Sequence, residues 1–587
     1  MKKITVITVI AILGLTISGC KKFLDREPIA SETNVGYYDT FENAEKAVNA
    51  IYDPITLEQR LYLALLWALG DAASDDTEAG GGKNWKGEDQ PAAQEICLYR
   101  TLPSNAYSNN FFKMSYVGIQ RANNLLRETK KVNYDARRLQ GEARVLRAYY
   151  YFNLVNVYGP VPYFKEQPLP EEYTTISNRQ EGDDAEGNKH VKYIYEQIIG
   201  DLDTASTLLP PKSAYKDKNL IGRVSQGTAW AYIAKVYAYL ASNPNLEGDK
   251  NSYWAKCAEY ADKVINSGEY SLVNEYHKLY TLEGENGPES IFEAQFLAGS
   301  QDGPTYEGAI LNIDLAPRSF LKKKYDQSSG ELYCYGLNCP TISLVNSYEI
   351  KDKTSKMTNF GAIMSNAGTN YLKIDLYNDG YDWDPRLDMI AKPGDSVLQS
   401  VNSKEGWFLL KTRDDDPIDE KASPTGFWGR KTELRYDQWG TVQATGLNHH
   451  LFRYAELLLL RAEAAIKLGD EATALKYVNM VRERARKSKR IPNGTGGYTY
   501  TNGTVPADLT SVTYDDILKE RRRELALEHN RFFDLVRTGK AEEILSQRGL
   551  DSWGRKFNWK SGVSHRLPIP STVIIESGGA IKQNKGY

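Results

Sequence analysis

Cysteine and histidine are scarce in this chain, whose 587 residues include five cysteines and six histidines. With so few cysteines, the fold cannot depend on disulfides. Cys334 and Cys339 could pair across a short loop, but no histidine lies near them to complete a zinc site. His449 and His450 are adjacent, so on a helix their side chains would point about 100° apart and chelate a metal poorly. The sequence therefore predicts neither a metal site nor a cofactor.

Common catalytic motifs are missing as well. The sequence has no HExxH, no GxSxG and no CxxC. The stretch "EAGGGKN" has glycines, but it lacks both the spacing and the Ser or Thr of a phosphate-binding loop. We therefore expect no enzymatic activity.

The chain has no large excess of either charge. Its formal net charge is -3, which gives no electrostatic reason to expect a nucleic-acid partner. Hydrophobic residues make up 41% of the chain, enough for a core in one very large domain or several packed ones. After the N-terminal residues no segment is long and apolar enough to span a membrane, and "RLYLALLWALGDA" is typical of a buried helix.

The single long apolar run, residues 4–17, lies at the N-terminus after Lys2 and Lys3. It is shorter than the roughly 20 residues of a membrane span and is typical of a signal peptide. Two small residues then precede Cys20, and this arrangement resembles the bacterial lipoprotein signal. The resemblance implies a signal peptide over 1–19, cleavage before Cys20, and lipid on its sulfur and new amino terminus. The alternative is an ordinary secretory signal followed by a chance cysteine.

Tyrosine is abundant, with 40 residues against 16 phenylalanines. A tyrosine ring has an apolar face and a polar tip. The rings could therefore pack between amphipathic helices, or they could form a surface that binds polar ligands. Composition alone does not separate these two interpretations.

Helical periodicity dominates residues 41–270 and returns over 450–548, where "YDDILKERRRELALEHNRFFDLVRTG" is predicted to form one helix. Small and aromatic residues alternate in helix pairs that resemble degenerate tetratricopeptide units. Between about 271 and 449 the helical stripes fade, and Gly, Asn, Asp, Tyr and Trp accumulate in short runs. We therefore expect a mainly α fold, with an irregular loop-rich lobe inserted into one helical scaffold. Loops on a rigid frame are where binding usually occurs.

Several longer segments resemble the SusD/RagB family of outer-membrane lipoproteins. They occur in the family's order and span nearly the whole chain except the loop-rich middle. The segments are "FLDREPIASETNVGYYDTFENAEKAVNAIY", "EARVLRAYYYFNLVNVYGPVPYF", "LFRYAELLLLRAEA", "ILKERRRELALEHNRFFDLVRTG", "LPIP" and the terminal "QNKGY".

This resemblance implies a lipid-anchored protein of the Bacteroidota outer membrane, exposed at the cell surface. Such proteins cap a SusC-like TonB-dependent transporter and help to capture nutrients. Most bind glycans and some, the RagB-like members, bind peptides, so peptide capture is the alternative to glycan binding here. The family fold has about eight helices in four tetratricopeptide-like pairs, and its variable lobe carries the ligand. We accordingly expect residues 20–587 to form a single unit. A plain tetratricopeptide adaptor is disfavoured by the lipid-modification signal and by the large non-helical lobe.

A row of acidic residues lies in the fourth of these segments. Glu520, Glu524 and Glu528 follow one another at steps of four, and Arg531 and Asp534 continue the row. A glycosidase needs two carboxylates across a sugar bond. The resemblance instead suggests structural ion pairs. The expected partners are Arg521, Arg522, Arg523 and Arg537.

The segment "GDAASDDTEAGGGKNW" is the first candidate for a ligand site. It follows an apolar helix, and its glycines would let the backbone approach a ligand closely. Asp75, Asp76 and Asn84 could bond sugar hydroxyls, while Trp85 could stack on the apolar face of a sugar ring. In resembling proteins this region contributes to the ligand site, opposite the variable lobe. The alternative is a solvated loop with Trp85 packed on the scaffold.

The lobe supplies three aromatic candidates, Tyr381, Trp383 and Trp428. For each tryptophan, burial in the lobe's own core is the alternative to contact with a ligand. Arg386 lies in "DPRL", which looks like a structural turn of the family, and we therefore leave it out of the site.

The anchor at Cys20 can be tested by substitution. We expect Cys20→Ala to release the protein from the membrane fraction, because the thiol that would carry the lipid is gone. Fractionation with metabolic labelling by a fatty acid measures both effects. A variant that stays acylated and bound to the membrane contradicts the prediction.

Overall fold

The structure is a computed structural model. It describes residues 36–56, 62–80, 90–166, 168, 172, 174–218, 220–297, 309, 311–315, 319–321, 332–334, 336–367, 376, 380–390, 392–393, 425, 427–432, 445–492 and 498–587.

The described chain is mainly helical. In chain order its α-helices are α1 (Phe41–Thr56), α2 (Tyr62–Trp67), α3 (Pro91–Cys97), α4 (Ala106–Glu128), α5 (Arg137–Tyr158), α6 (Asn188–Leu208), α7 (Gln226–Ser242), α8 (Lys250–Asn266), α9 (Leu311–Leu315), α10 (Ile342–Val345), α11 (Phe360–Ala367), α12 (Leu387–Ile390), α13 (Tyr454–Lys467), α14 (Glu471–Lys487), α15 (Tyr514–Leu525), α16 (Arg531–Arg537), α17 (Ala541–Leu545) and α18 (Ser571–Glu576). None of them offers a stretch that is both long and apolar enough to cross a bilayer.

Local sequence signals explain where the long helices begin and end. Ser225 caps α7 in a reciprocal capping box with Thr228, and Asp470 caps α14 by accepting a hydrogen bond from a backbone amide. Helix α5 ends at Gly159, whose φ of 75° is readily adopted only by glycine. Pro160 follows directly and prevents the helix from continuing.

The eight longest described helices pack in chain order. Helix α1 packs on α4, and each of α4, α5, α6 and α7 packs on the next helix along the chain. Helix α8 then packs on α13, which packs on α14 and α15. This succession of helix pairs is the predicted tetratricopeptide-like scaffold, and the prediction of a mainly α fold with about eight scaffold helices is confirmed.

One predicted helix is wrong in its length. The segment 514–539 forms α15 and α16 with a break between them rather than one continuous helix. Leu527 and His529 in the break have φ values of 61° and 64°, which no α-helix can accommodate. The break turns the Glu528 side chain toward Arg453 and the His529 ring toward Asp71. Long-range ion pairs and hydrogen bonds therefore override the helical pattern of the sequence.

The strands are short and form small sheets. Their bounds are β1 (Thr77–Glu78), β2 (Ser290–Ala294), β3 (Ser319–Leu321), β4 (Leu332–Cys334), β5 (Cys339–Pro340), β6 (Ile350–Lys351), β7 (Met357–Thr358), β8 (Asp382–Trp383), β9 (Lys392–Pro393), β10 (Phe427–Trp428), β11 (His449–Arg453), β12 (Lys489–Pro492) and β13 (Tyr498–Thr501). The antiparallel pairs are β1 with β5, β9 with β10, β2 with β11, β12 with β13, β3 with β4, and β6 with both β7 and β8.

The main hydrophobic core joins the two ends of the chain. It contains buried residues from Ala44 to Tyr270 together with residues from Phe452 to Ile581. Many of its members are tyrosines between the helices, as in the edge-to-face contact of Tyr149 with Tyr232 at 6.0 Å. A separate cluster around Trp383 and Phe427 forms the core of the lobe. Most of the buried tyrosines thus act as amphipathic packing residues.

Buried ion pairs connect this lobe to the scaffold. Arg386 in the lobe lies 2.6 Å from Glu520 and 3.1 Å from Glu524, both on α15. The other carboxylate oxygen of Glu524 accepts from Arg453 at 2.5 Å and from Arg484. Arg386 is thus a structural residue, as expected. The partners of Glu520 and Glu524 come largely from distant segments, however, whereas the sequence pointed to the neighbouring arginines.

The charges hold these carboxyl groups in their ionised form. Burial alone would raise the pKa of Glu520, but Arg386, Arg482 and Arg523 outweigh that effect and lower the pKa to about 2. In the same way Arg521 and Arg537 outweigh burial and lower the pKa of Asp534 to about 2. The carboxylates of this row are therefore paired with arginines and, at Glu528, also with Lys431, as a structural role requires.

We expect Glu524→Gln to destabilise the protein by about 3–5 kcal/mol, because it leaves several buried guanidinium groups without their shared counter-charge. The free energy of unfolding in urea, followed by tryptophan fluorescence, measures the effect. The matched control is Glu42→Gln, whose exposed pair with Lys46 should contribute less than about 1 kcal/mol. Equal stabilities of the two variants would show that the buried network is dispensable.

Candidate ligand-binding site

The candidate loop begins at a distorted end of helix α2. Residues Ala68–Ala72 form a π-helical turn, and the buried carboxylate of Asp71 lies within it. This carboxylate accepts hydrogen bonds from the backbone N–H and Nδ1 of His529, at 2.9 Å and 2.8 Å, and from Nδ2 of Asn338 at 3.0 Å. Asp71 therefore joins the scaffold helix to the α15–α16 break and to the lobe.

Asp75 and Asp76 follow this turn and lie against two arginines. Arg531 donates to both carboxylate oxygens of Asp75, at 2.8 Å and 3.1 Å. Arg522 donates to Asp76 at 2.6 Å and lies 3.0 Å from Asp75. Asp76 is only 1% exposed, so a ligand cannot reach its carboxylate in this structure. Asp75 is half-buried and already pairs with both arginines. Both carboxylates are thus held by arginines, and neither is free to face a ligand.

The two aspartates differ in their proton affinity. Burial raises the pKa of Asp76 even though Arg522 lies against it. For Asp75, Arg522 and Arg531 outweigh burial and lower the pKa to about 2. Asp75 is therefore the firm anionic partner of the two arginines at neutral pH.

The next residues pair with the lobe. In the β1–β5 pair, Thr77 lies opposite Pro340 and Glu78 lies opposite Cys339. Thr341 adds two bonds, since its backbone N–H donates to the Asp76 carbonyl at 2.8 Å and its hydroxyl donates to the Asp75 carbonyl at 2.8 Å. The base of the loop is thus fixed to the lobe along the four consecutive residues 75–78.

Gly80 marks the point where the candidate loop departs from this base. A Cβ atom at Gly80 would lie 1.8 Å from the Gly336 carbonyl oxygen, so only glycine fits. The Gln94 side-chain amide donates to the carbonyls of Ala79 and Gly80, at 3.3 Å and 2.9 Å. Asn84 and Trp85 lie outside the described residues, between Gly80 and Gln90.

The lobe candidates lie at two places. Trp383 is 4% exposed, its indole N–H donates to Asp388 at 2.9 Å, and Lys489 lies over its ring at 4.2 Å. Such burial prevents a sugar from stacking on this ring, and this candidate is corrected to a core residue. Tyr381 is half-buried against the same lobe core. The backbone of Trp428 lies in β10, and its side chain is outside the described residues.

The structure brings the loop base close to one of the lobe candidates. Strand β10, which carries Trp428, lies beside β5, and β5 pairs with β1. Asp71, Asn338 and Thr341 organise this junction, and the sequence analysis did not select them. Their only sequence signals are a charged residue at the end of an apolar helix and an Asn within "GLNCPT".

Two family models match the chain. The model described as "SusD family" matches residues 288–587. The model described as "Starch-binding associating with outer membrane" matches residues 22–238. Between them they cover the scaffold at both ends of the chain, and the first covers more than half of the chain.

Similar proteins extend over almost the full length. SusD-like protein P2 of Formosa agariphila is 23% identical over 98% of each chain. Starch-binding protein SusD of Bacteroides thetaiotaomicron is 23% identical over 77% of this chain and 73% of its own. Among solved structures, a laminarin binding SusD-like protein is 26% identical, with a TM-score of 0.65 over 94% of this chain and 100% of that one. Surface glycan-binding protein A of Bacteroides thetaiotaomicron in complex with laminarihexaose gives a TM-score of 0.65 at 21% identity, over 93% and 99%.

The role of Asp76 can be separated from ligand binding. We expect Asp76→Asn to destabilise the protein by about 1.5–3 kcal/mol, because Arg522 loses its charged hydrogen bond to Asp76 and keeps only Asp75 as a carboxylate partner. The free energy of unfolding in urea measures this effect. Asp135→Asn is the matched control, since Asp135 pairs with Arg137 on the surface and its loss should leave the stability near that of the wild type. Unchanged stability with loss of ligand affinity would return Asp76 to the ligand surface.

Proposed function

This chain belongs to the SusD family, and on that premise we propose that it is a lipid-anchored protein of the outer-membrane surface that binds glycan. In this proposal Cys20 carries the lipid, and the protein delivers captured oligosaccharide to a SusC-like TonB-dependent transporter. Residues 20–587 act as one unit. Its helical scaffold, 41–270 and 450–548, presents the lobe at about 271–449 together with the loop after Gly80.

The observation that carries the proposal is the likeness to the laminarin binding SusD-like protein. The alignment covers all of that chain and 94% of this one at 26% identity. Other relatives point the same way, since one is named as starch-binding and another was solved with laminarihexaose. The description of the second family model links the chain to the outer membrane.

The geometry supports a site at the junction of loop and lobe. The loop base, up to Gly80, is fixed by Asp71, by the arginine pairs of Asp75 and by the β1–β5 pairing, and it forms a rigid platform. A rigid platform reduces the entropy that is lost when a ligand binds. We propose that Trp85 stacks on a sugar ring from this platform, with Asn84 and Trp428 close to it.

The aspartates have a supporting role in this proposal. Asp75 and Asp76 hold the platform through Arg522 and Arg531, so their effect on a ligand is indirect. The hydroxyl groups of a glycan are then bound by groups of the loop and lobe above them. The proposal includes no chemical step, and three of the relatives described above are named for binding.

Peptide capture is the alternative function. None of the relatives described above is named for peptide binding, whereas three are named or titled for starch or laminarin sugars. Glycan capture is therefore the better-supported proposal, and a peptide ligand is an outcome of the same experiment.

The test is Trp85→Ala with laminarihexaose as the ligand, measured by isothermal titration calorimetry. We expect the variant to lose about 5- to 150-fold in affinity, because aromatic stacking contributes about 1–3 kcal/mol per ring. The melting temperature should stay near that of the wild type, because the ring would face the ligand rather than the core.

Trp230→Ala is the matched control, since Trp230 is half-buried on α7 of the scaffold. Its laminarihexaose affinity should equal that of the wild type. A large loss of stability in Trp85→Ala with affinity retained would make Trp85 a core residue. Binding of peptides by the wild type, with no response to laminarihexaose, laminarin or starch oligosaccharides, would favour peptide capture.

A further inference from the structure

The scaffold contains a cavity, and none of the residues that line it belongs to the loop or to the lobe. It has a volume of about 300 Å³, and helices α5, α6, α7 and α16 line it together with the C-terminal segment 559–566. Its aromatic lining residues include Tyr195, Tyr239, Phe533 and Trp559. This volume is at the lower end of ordinary ligand sites, so the cavity suits one small ligand.

A smaller cavity of about 50 Å³ lies next to it. The two cavities share Asn156, Tyr239 and Phe533, so these three side chains form the wall between them. Lys235 and Asn153 also line the smaller cavity and supply polar groups to a mainly apolar surface. This cavity is large enough for a water molecule or for one hydroxymethyl group of a ligand.

The wall between the two cavities carries a polar group that bonds to none of the described residues. Tyr239 is 5% exposed and lines both cavities, yet its hydroxyl makes no hydrogen bond with any residue that the structure describes. Asn243 also lines the larger cavity and accepts from the Asn245 backbone N–H at 2.9 Å, while its own side-chain N–H groups donate to none of the described residues. The Tyr239 hydroxyl is therefore available to bond a water or a ligand group.

The charged groups of the larger cavity already have partners. Arg537 donates to Glu463 and Asp534, at 2.7 Å and 2.8 Å, and Arg566 donates to the Glu186 carbonyl and to Asn188. Glu542 accepts from the Trp559 indole at 2.8 Å. Burial lowers the pKa of His565 to about 4, so this ring is neutral at physiological pH. A neutral ligand therefore fits the cavity better than an ion.

Aromatic walls, hydroxyl and amide groups, and charged lining residues that already have hydrogen-bond partners together define the ligand chemistry. We propose that this cavity is a second binding site, for one small neutral sugar. The ring of the sugar lies between Phe533 and Trp559, and one of its hydroxyl groups reaches the Tyr239 hydroxyl at the wall shared with the smaller cavity. This site goes beyond the proposed glycan function, because neither Asp75, Asp76, Tyr381 nor Trp383 lines it.

The test uses methyl β-D-glucopyranoside as the probe and follows its binding by saturation-transfer NMR. We expect the wild type to bind it. Tyr239→Phe should raise the Kd about five- to tenfold, the equivalent of one hydrogen bond, without changing the melting temperature. Val536→Phe fills the cavity from its half-buried wall and should abolish binding.

Tyr237→Phe is the matched control, because Tyr237 lies on the same helix but lines neither cavity. It should bind the probe like the wild type. Trp85→Ala should also leave probe binding unchanged, which separates this site from the proposed glycan site. Absence of probe binding to the wild type would overturn the proposal. Binding that survives both cavity substitutions, or that disappears with Trp85→Ala, would overturn it as well.

Discussion

Three buried glutamates, Glu520, Glu524 and Glu528, hold together parts of the chain that are far apart in sequence. Their partners come from the lobe, from β11 and from α14. A buried ion pair adds little net stability, because desolvation offsets most of the attraction, but a missing partner is costly. The network therefore acts as a constraint on geometry. Any arrangement of lobe and scaffold that separates these charges is strongly disfavoured.

The break between α15 and α16 is a direct result of this constraint. Glu528 can reach Arg453 and Lys431 only because the helix stops, and the stop places His529 against Asp71. Gly70 is then required, because a Cβ atom there would lie 2.2 Å from the His529 carbonyl oxygen. The ion-pair network thus extends to the base of the candidate loop. We infer that these buried charges position the base of the loop.

The tyrosines pack between helices through their rings and supply polar groups through their hydroxyls. Most fill the spaces between scaffold helices, and their hydroxyls bond to backbone carbonyls, as Tyr150 does with Ile51 at 2.6 Å. Packing of large rings also leaves spaces where helices diverge. Tyr239 lies at such a place, with its ring against Arg537 and in the lining of two cavities. In our proposal this residue, used for packing, also provides a binding group.

Helix positions, the mainly α class and the loop-rich middle followed from the sequence, because apolar periodicity, caps and glycine or proline stops are local properties. Segments such as "EARVLRAYYYFNLVNVYGPVPYF" also pointed to the family. The partners of Glu524 and the burial of Trp383 were decided by the tertiary structure. The sequence gives the charge of a carboxylate but not the distant residue that pairs with it. It gives the size of an aromatic side chain but not the residues that bury it. For the same reason Asp76 resembled a ligand-binding residue until Arg522 was found beside it.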